Sequence, residues 1–171
     1  EWDKSRQALS ELSQLPIHLD TRPAQSIDMI ASKARRLATR LQREGKPLRL
    51  LVIDYAQLIR SEGRSTEERL SGVSQGLLAL AKELQVPVLA LAQLNRDCEK
   101  RADRRPQLSD LRGSGQFEQD AHAILFIYRD AYYNPMCGHN NTEVIIAKFR
   151  DSKTRTLYLK FIPETQRFTD A

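Results

Sequence analysis

Two polar side chains close two of the most apolar stretches of the chain: Asp54 ends "LRLLVID" and Gln93 ends "VPVLALAQ". Apart from Arg49, residues 48–53 show no alternation, and neither do residues 86–92. Each run therefore reads as a strand covered on both faces, as in a parallel sheet. A carboxylate at the mouth of a buried strand is unfavourable unless a cation compensates it. On phosphate-binding sheets that cation is hydrated magnesium. Several aliphatic residues followed by Asp form the pattern of a Walker B strand, although an Asp that caps the next helix has the same pattern. Gln93 offers a neutral amide suited to sensing a terminal phosphate or orienting an attacking water. The competing role for it is a hydrogen bond to loop backbone.

These two groups need elements that bring them to one place. Ser26 is placed as an N-cap, and Ile27, Ile30, Ala31, Ala34, Leu37, Ala38 and Leu41 recur at helical spacing until Gly45 and Pro47. The other face of that helix carries Lys33, Arg35, Arg36, Arg40 and Arg43, which suits phosphates or plain solvent. Ser65 with Glu68 makes a capping box, and Leu70, Val73, Leu77, Leu80, Ala81 and Leu84 trace a second core-facing helix. A third apolar strand, "AILFIYR", spans 123–129. Strand, helix and strand with short links predict right-handed crossovers and a parallel sheet, with successive strands ending on one edge. Ligands of such sheets sit at the carboxyl ends of the strands, so Asp54 and Gln93 point to one crevice. Beyond residue 141, "TEVIIAKFR", "TRTLYLKF" and "QRFTD" read as an antiparallel extension.

Composition sets the remaining limits. The 171 residues suit one domain, and 27 Lys and Arg against 22 Asp and Glu permit a polyanionic partner without requiring one. Two cysteines are too few for a disulfide framework, and no secretory leader or membrane-length apolar run is present, so a reducing, cytoplasmic setting is expected. Cys137 and His139 invite a metal, but two further ligands at suitable spacing are missing, so they read as a loop thiol and a loop histidine. The chain opens on Glu1 within a helical pattern, which suggests a piece of something longer.

The stretch 93–121, "QLNRDCEKRADRRPQLSDLRGSGQFEQDA", packs Arg96, Lys100, Arg101, Arg104, Arg105 and Arg112 around Gly-Ser-Gly. Gly113 and Gly115 let backbone amides approach an anion, and Arg112 adds a charge. That suits a phosphodiester backbone gripped without reading bases; a mobile surface loop is the competing reading.

With its continuation to "HAILFIYRD", this stretch resembles the replicative hexameric DNA helicases of the DnaB type. "LLVIDYAQL" is similar to that family's Walker B strand, and "IIAKFRD" to its lysine and arginine-finger segment. The resemblance covers residues 17–168. It implies an α/β, RecA-like parallel twisted sheet flanked by helices, with C-terminal antiparallel strands. By resemblance, Asp54 is the Walker B aspartate holding magnesium through water, and Gln93 is the phosphate sensor. Lys148 and Arg150 resemble the pair that reaches the neighbouring subunit's nucleotide, with Arg150 as the finger. Arg112, Gly113 and Gly115 fall in the loop that in this family lines the channel and holds single-stranded DNA. ATP and Mg2+ as cofactors, a homo-hexamer, and contacts with primase and a helicase loader are implied in the same way.

Two positions depart from the family pattern: Gly113 stands where glutamate is usual, and Phe149 where glutamine is common. A larger departure is that none of the seven glycines opens a G-x-x-x-x-G-K-[ST] loop, and Tyr55 rather than an acid follows Asp54. In family order the Walker A loop and the catalytic glutamate precede these segments. Residues 1–171 are therefore expected to be a partial RecA-like motor domain, from Walker B onward, with its phosphate-loop strand missing and its sheet poorly covered in the middle. The alternatives are a recombinase-type or clock-type ATPase of the same fold, and a non-catalytic fragment that binds DNA or a partner.

Overall fold

The computed structural model describes residues 2–111, 115–134 and 136–171. Helix α1 (Trp2–Gln14) buries none of its residues. Helix α2 (Ile27–Arg43) starts where the Ser26 hydroxyl accepts from the Met29 N–H at 3.2 Å, and it turns Ala31, Ala34 and Leu41 inward. Helix α3 (Thr66–Leu84) is capped by Ser65, whose hydroxyl accepts from the Glu68 N–H at 3.1 Å. The Glu68 carboxylate accepts from the Arg64 N–H at 2.6 Å, one residue before the position the capping box predicts. Gln85, at φ 53°, stops α3 in the left-handed region.

Strands β1 (Leu51–Ile53) and β2 (Val88–Ala90) pair in parallel, with Leu51 opposite Val88 and Ile53 opposite Ala90. The two helices cover one face of this pair. Ile53, Val73 and Leu77 pack with Ile27, Ile30, Val88 and Ala90, while Leu80 packs against Ala31 and Ala34. Full burial of a side chain such as Val73 or Leu80 contributes about 1.5–3 kcal/mol relative to exposure. The opposite face is open: Val52 is 50% and Leu89 52% exposed. Two-sided burial of these strands, the expectation from their unbroken apolar runs, is therefore corrected to burial on one side. The expected poor cover in the middle of the sheet is what the open face displays.

Strand β3 (Ala123–Arg129) is followed by α5 (Asp130–Tyr133), β4 (Asn141–Phe149), β5 (Arg155–Ile162) and β6 (Arg167–Asp170). The four strands form an antiparallel sheet in the order β3-β4-β5-β6, with Phe126 opposite Ile145, Val144 opposite Leu157 and Phe161 opposite Phe168. The C-terminal extension is thus as expected. The third strand, however, is not hydrogen-bonded to the first two: among the described residues β1-β2 and β3–β6 are separate sheets. Leu111, Ile124 and Phe126 gather Leu94, Leu108 and Ile145 into a further core between the loop and this second sheet. No helix of the described residues is long and apolar enough to cross a membrane.

Candidate functional site

Parallel pairing places the carboxyl ends of β1 and β2 on one edge, and the backbone continues the match past the strands. The Ile53 carbonyl accepts from the Leu91 N–H, and the Leu91 carbonyl from the Ala56 N–H, both at 2.9 Å. Gln57, in the 3-10 turn Ala56–Leu58, then clasps the backbone of Gln93. Its Nε2 donates to the Gln93 carbonyl at 3.1 Å, and its Oε1 accepts from the Gln93 N–H at 3.2 Å. Asp54 and Gln93 therefore follow the carboxyl ends of paired parallel strands on one edge, Asp54 directly after Ile53 and Gln93 three residues after Ala90, where Gln57 holds its backbone. Both are exposed, and neither side chain makes a hydrogen bond or ion pair among the described residues.

This geometry bears on the competing readings. Asp54 does not cap the following helix: the 3-10 turn has no side-chain cap and α3 is capped by Ser65. The amide that satisfies loop backbone is Gln57, not Gln93. Gln57 escaped the sequence reading because its partner lies 36 residues away and no local periodicity signals it.

Lys148 and Arg150 lie at and just beyond the end of β4, and both reach the same short helix, α4 (Gly115–Asp120). Lys148 Nζ donates to the carbonyls of Glu118 and Gln119. Arg150 Nη2 donates to the Gln119 carbonyl at 2.8 Å and to that of Asp120 at 3.2 Å, while the Arg150 N–H reaches the His122 carbonyl at 2.9 Å. Cations thus satisfy carbonyls left without intrahelical partners at the carboxyl end of α4, where they also suit the helix dipole. Asp120 also fastens α4 to α3, accepting from the buried Ser74 hydroxyl at 2.7 Å, and accepts from Gln116 within α4 at 3.0 Å.

Gly115 is the first residue of α4, and a Cβ there would meet nothing within 4 Å. Nothing among the described residues therefore crowds a side chain at this position. Arg112 and Gly113, the other two residues assigned to the loop, lie outside the described residues.

The arginine-rich stretch before that loop is largely engaged with the protein itself. Arg101 forms a two-pronged pair with Asp110, both bonds 2.7 Å. Arg105 pairs with Glu143 at 2.6 and 2.9 Å and with Asp103 at 3.2 Å, and lies over the Tyr128 ring. Lys100 pairs with Asp97 at 2.7 Å, and Arg104 sits over Tyr133. Hydrogen bonds donated to Glu143, and then to Asp103, hold the Arg105 guanidinium well above its ordinary pKa, against the opposing effect of burial. These charges brace the loop, so the reading that all of them line a phosphodiester grip is narrowed. Arg96 forms no ion pair among the described residues. Part of the basic face of α2 is engaged as well, with Arg35 on Glu83 at 2.7 and 2.8 Å and Lys33 on Asp20 at 2.8 Å.

Known proteins supply the comparison. The DnaB-like helicase C terminal domain family matches residues 1–170. The chain is 44% identical to the replicative DNA helicase DnaB of Geobacillus stearothermophilus and 41% identical to the replicative DNA helicase DnaC of Bacillus subtilis. In both cases 99% of this chain is covered, and it spans 37% of the relative's length. Among solved structures, an ATPase domain matches with a TM-score of 0.91 at 41% identity, covering 99% of this chain and 60% of that one. A DnaB-like replicative helicase described with its primase interactions matches at 0.90 and 41%, covering 99% of this chain and 42% of that one. The likeness extends to the fold, which is of the α/β, RecA-like class. By sequence and by fold, this chain belongs to the DnaB-like helicase C-terminal domain family.

Proposed function

We propose that this chain is the magnesium-holding, phosphate-sensing, DNA-contacting and finger-bearing part of the motor of a hexameric replicative DNA helicase, an ATP-dependent enzyme that moves on single-stranded DNA. The observation that supports it most is that Asp54 and Gln93, each with an unengaged polar side chain, both follow the carboxyl ends of one parallel strand pair. An exposed, unpaired carboxylate and a free amide on one strand-end edge fit a hydrated divalent ion on a triphosphate. Magnesium-bound ATP supplies there a charge-neutralised terminal phosphate open to attack by water.

In this reading Asp54 would hold the ion through its water shell, and the Gln93 amide would sense a terminal phosphate oxygen. Gln57 fixes the Gln93 backbone and so aims it. Lys148 and Arg150 serve the nucleotide of the adjacent subunit in the homo-hexamer. Their bonds to the last carbonyls of α4 tie that duty to the segment beginning at Gly115, next to Arg112 and Gly113, through which single-stranded DNA is held by its phosphates. No G-x-x-x-x-G-K-[ST] loop occurs in the 171 residues, so the phosphate cradle comes from outside them. The open face at Val52 and Leu89 suits apolar cover by that same missing part. Residues 1–171 are, on this reading, a partial motor domain running from Walker B onward. Primase and a helicase loader are proposed partners, and the cytoplasm the proposed location.

The test is Asp54→Asn in the complete helicase subunit that carries this chain. ATP hydrolysis and unwinding of forked DNA should fall at least a hundredfold while hexamers still form. Near-normal turnover would overturn the assignment.

A further inference from the structure

The connection between β3 and β4 assembles a group that its spacing in the sequence does not announce. Asp130, Cys137 and His139 each offer one ligand atom, a carboxylate oxygen, the thiol sulfur and a ring nitrogen, and these all lie within 4.8 Å of one another. Chain turns bring them together. The Asn134 N–H donates to the Asp130 carbonyl at 2.8 Å and the Cys137 N–H to the Asn134 carbonyl at 3.0 Å, folding the loop back over the start of α5. Gly138, at φ 72°, reverses the chain between Cys137 and His139 in a conformation that disfavours other residues.

The surroundings leave each ligand available. The Tyr128 hydroxyl donates to Asp130 Oδ1 at 3.0 Å, orienting the carboxylate while Oδ2 stays open. That is the kind of outer hydrogen bond that positions metal-binding carboxylates. His139 Nδ1 receives only a long 3.4 Å contact from the Asn141 N–H. The Cys137 thiol donates to the His139 carbonyl at 3.2 Å, a weak bond that thiolate formation would give up.

We propose that Asp130, Cys137 and His139 form a binding site for a borderline divalent transition ion, Zn2+ being the leading occupant, that clips the β3–β4 loop. Sulfur, imidazole and carboxylate suit Zn2+ and disfavour Mg2+ and Ca2+, which take oxygen ligands. Zinc bonds of about 2.0–2.3 Å put tetrahedral ligands roughly 3.3–3.8 Å apart, so the group must contract by about 1 Å. A water takes the fourth position. On binding, the Cys137 thiol releases its proton to solvent, and the two anionic ligands balance the ion's charge. The site is separate from Asp54 and Gln93, and its role here is structural.

The test uses the complete subunit that carries this chain, with Co2+ as a spectroscopic stand-in, then Zn2+ in competition against a chromophoric chelator. One equivalent should bind and give thiolate charge-transfer absorption with the intense visible bands of tetrahedral cobalt. Cys137→Ser and His139→Gln should each weaken binding at least a hundredfold, and Tyr128→Phe, which keeps the ring, by about 10–100-fold. Cys98→Ser, which changes the other and buried cysteine, should leave it unchanged. Circular dichroism of His139→Gln, an exposed position, checks that the fold is retained. Absence of the charge-transfer band at saturating Co2+, or binding that survives Cys137→Ser or disappears with Cys98→Ser, would overturn the proposal.

Discussion

Gln57 grips both backbone polar groups of Gln93, donating to its carbonyl at 3.1 Å and accepting from its N–H at 3.2 Å. The turn after β1 and the segment that follows β2 are thereby locked together across 36 residues of sequence. Gln57→Leu keeps the volume and removes both bonds. In the complete helicase subunit, kcat for ATP hydrolysis should fall about 10–100-fold with little change in KM, because a misplaced sensor affects the chemical step more than binding. A large rise in KM with unchanged kcat would show that Gln57 serves binding instead.

Arg150 provides a second test. As a finger it acts in the transition state, so Arg150→Ala should leave nucleotide affinity within a few-fold of normal and lower hydrolysis by about 10³–10⁵. Because Arg150 also holds the Gln119 carbonyl at 2.8 Å, the same substitution should raise hydrogen exchange at the amides of α4. Rapid hydrolysis by the variant would leave Arg150 as a helix-end anchor alone.

The Arg101–Asp110 pair should govern acid stability. Asp110 is 4% exposed, and it accepts two bonds from Arg101 at 2.7 Å and one from the Gln107 N–H at 2.8 Å. Arg101, the larger influence, and the Gln107 N–H hold its pKa below the ordinary 3.8, while burial opposes them. A carboxyl lowered in the folded state stabilises the fold above its unfolded value and loses that contribution as pH falls through its folded value. Asp110→Ala should therefore cost about 2–4 kcal/mol near pH 7. Its Tm should converge toward that of the parent chain below pH 3.8. Parallel Tm curves across the acid range would show that the pair contributes no ionic stabilisation.

Much of this was legible in the sequence, for reasons tied to particular residues. Ser26 and Ser65 cap the helices they were read to cap, because an N-cap is a local signal within three residues. The strands beyond residue 141 paired antiparallel as read, whereas "AILFIYR", read as following the first two strands, joined the later strands instead. The apolar runs ending at Asp54 and Gln93 misled in one respect. A residue such as Val52 is apolar because some surface is meant to cover it, but a run of letters cannot say whether the covering segment lies within the same 171 residues. Long-range partnerships were equally invisible: Gln57 with Gln93, Arg105 with Glu143, and Asp130 with the Cys137 and His139 turn all depend on the folded path. Lys148 and Arg150 were found by family resemblance, whereas their seat on the carbonyls of α4 needed coordinates.

The 171-residue chain alone should bind ATP feebly and not hydrolyse it, since it has no phosphate loop to cradle the nucleotide. Equilibrium binding of a fluorescent ATP analogue and a phosphate-release assay check this. Sustained turnover by the pure chain would mean that a phosphate cradle exists among residues not recognised as one.

The central claim is that Asp54 and Gln93 serve a single magnesium–triphosphate pocket. The most direct measurement is the structure of the complete subunit, in its ring, with Mg2+ and a non-hydrolysable ATP analogue. The expected result is an Asp54 carboxylate about 4–5 Å from the ion with a water between, together with a Gln93 amide about 3 Å from a terminal phosphate oxygen. A nucleotide seated with its phosphates away from the rim shared by β1 and β2 would contradict it.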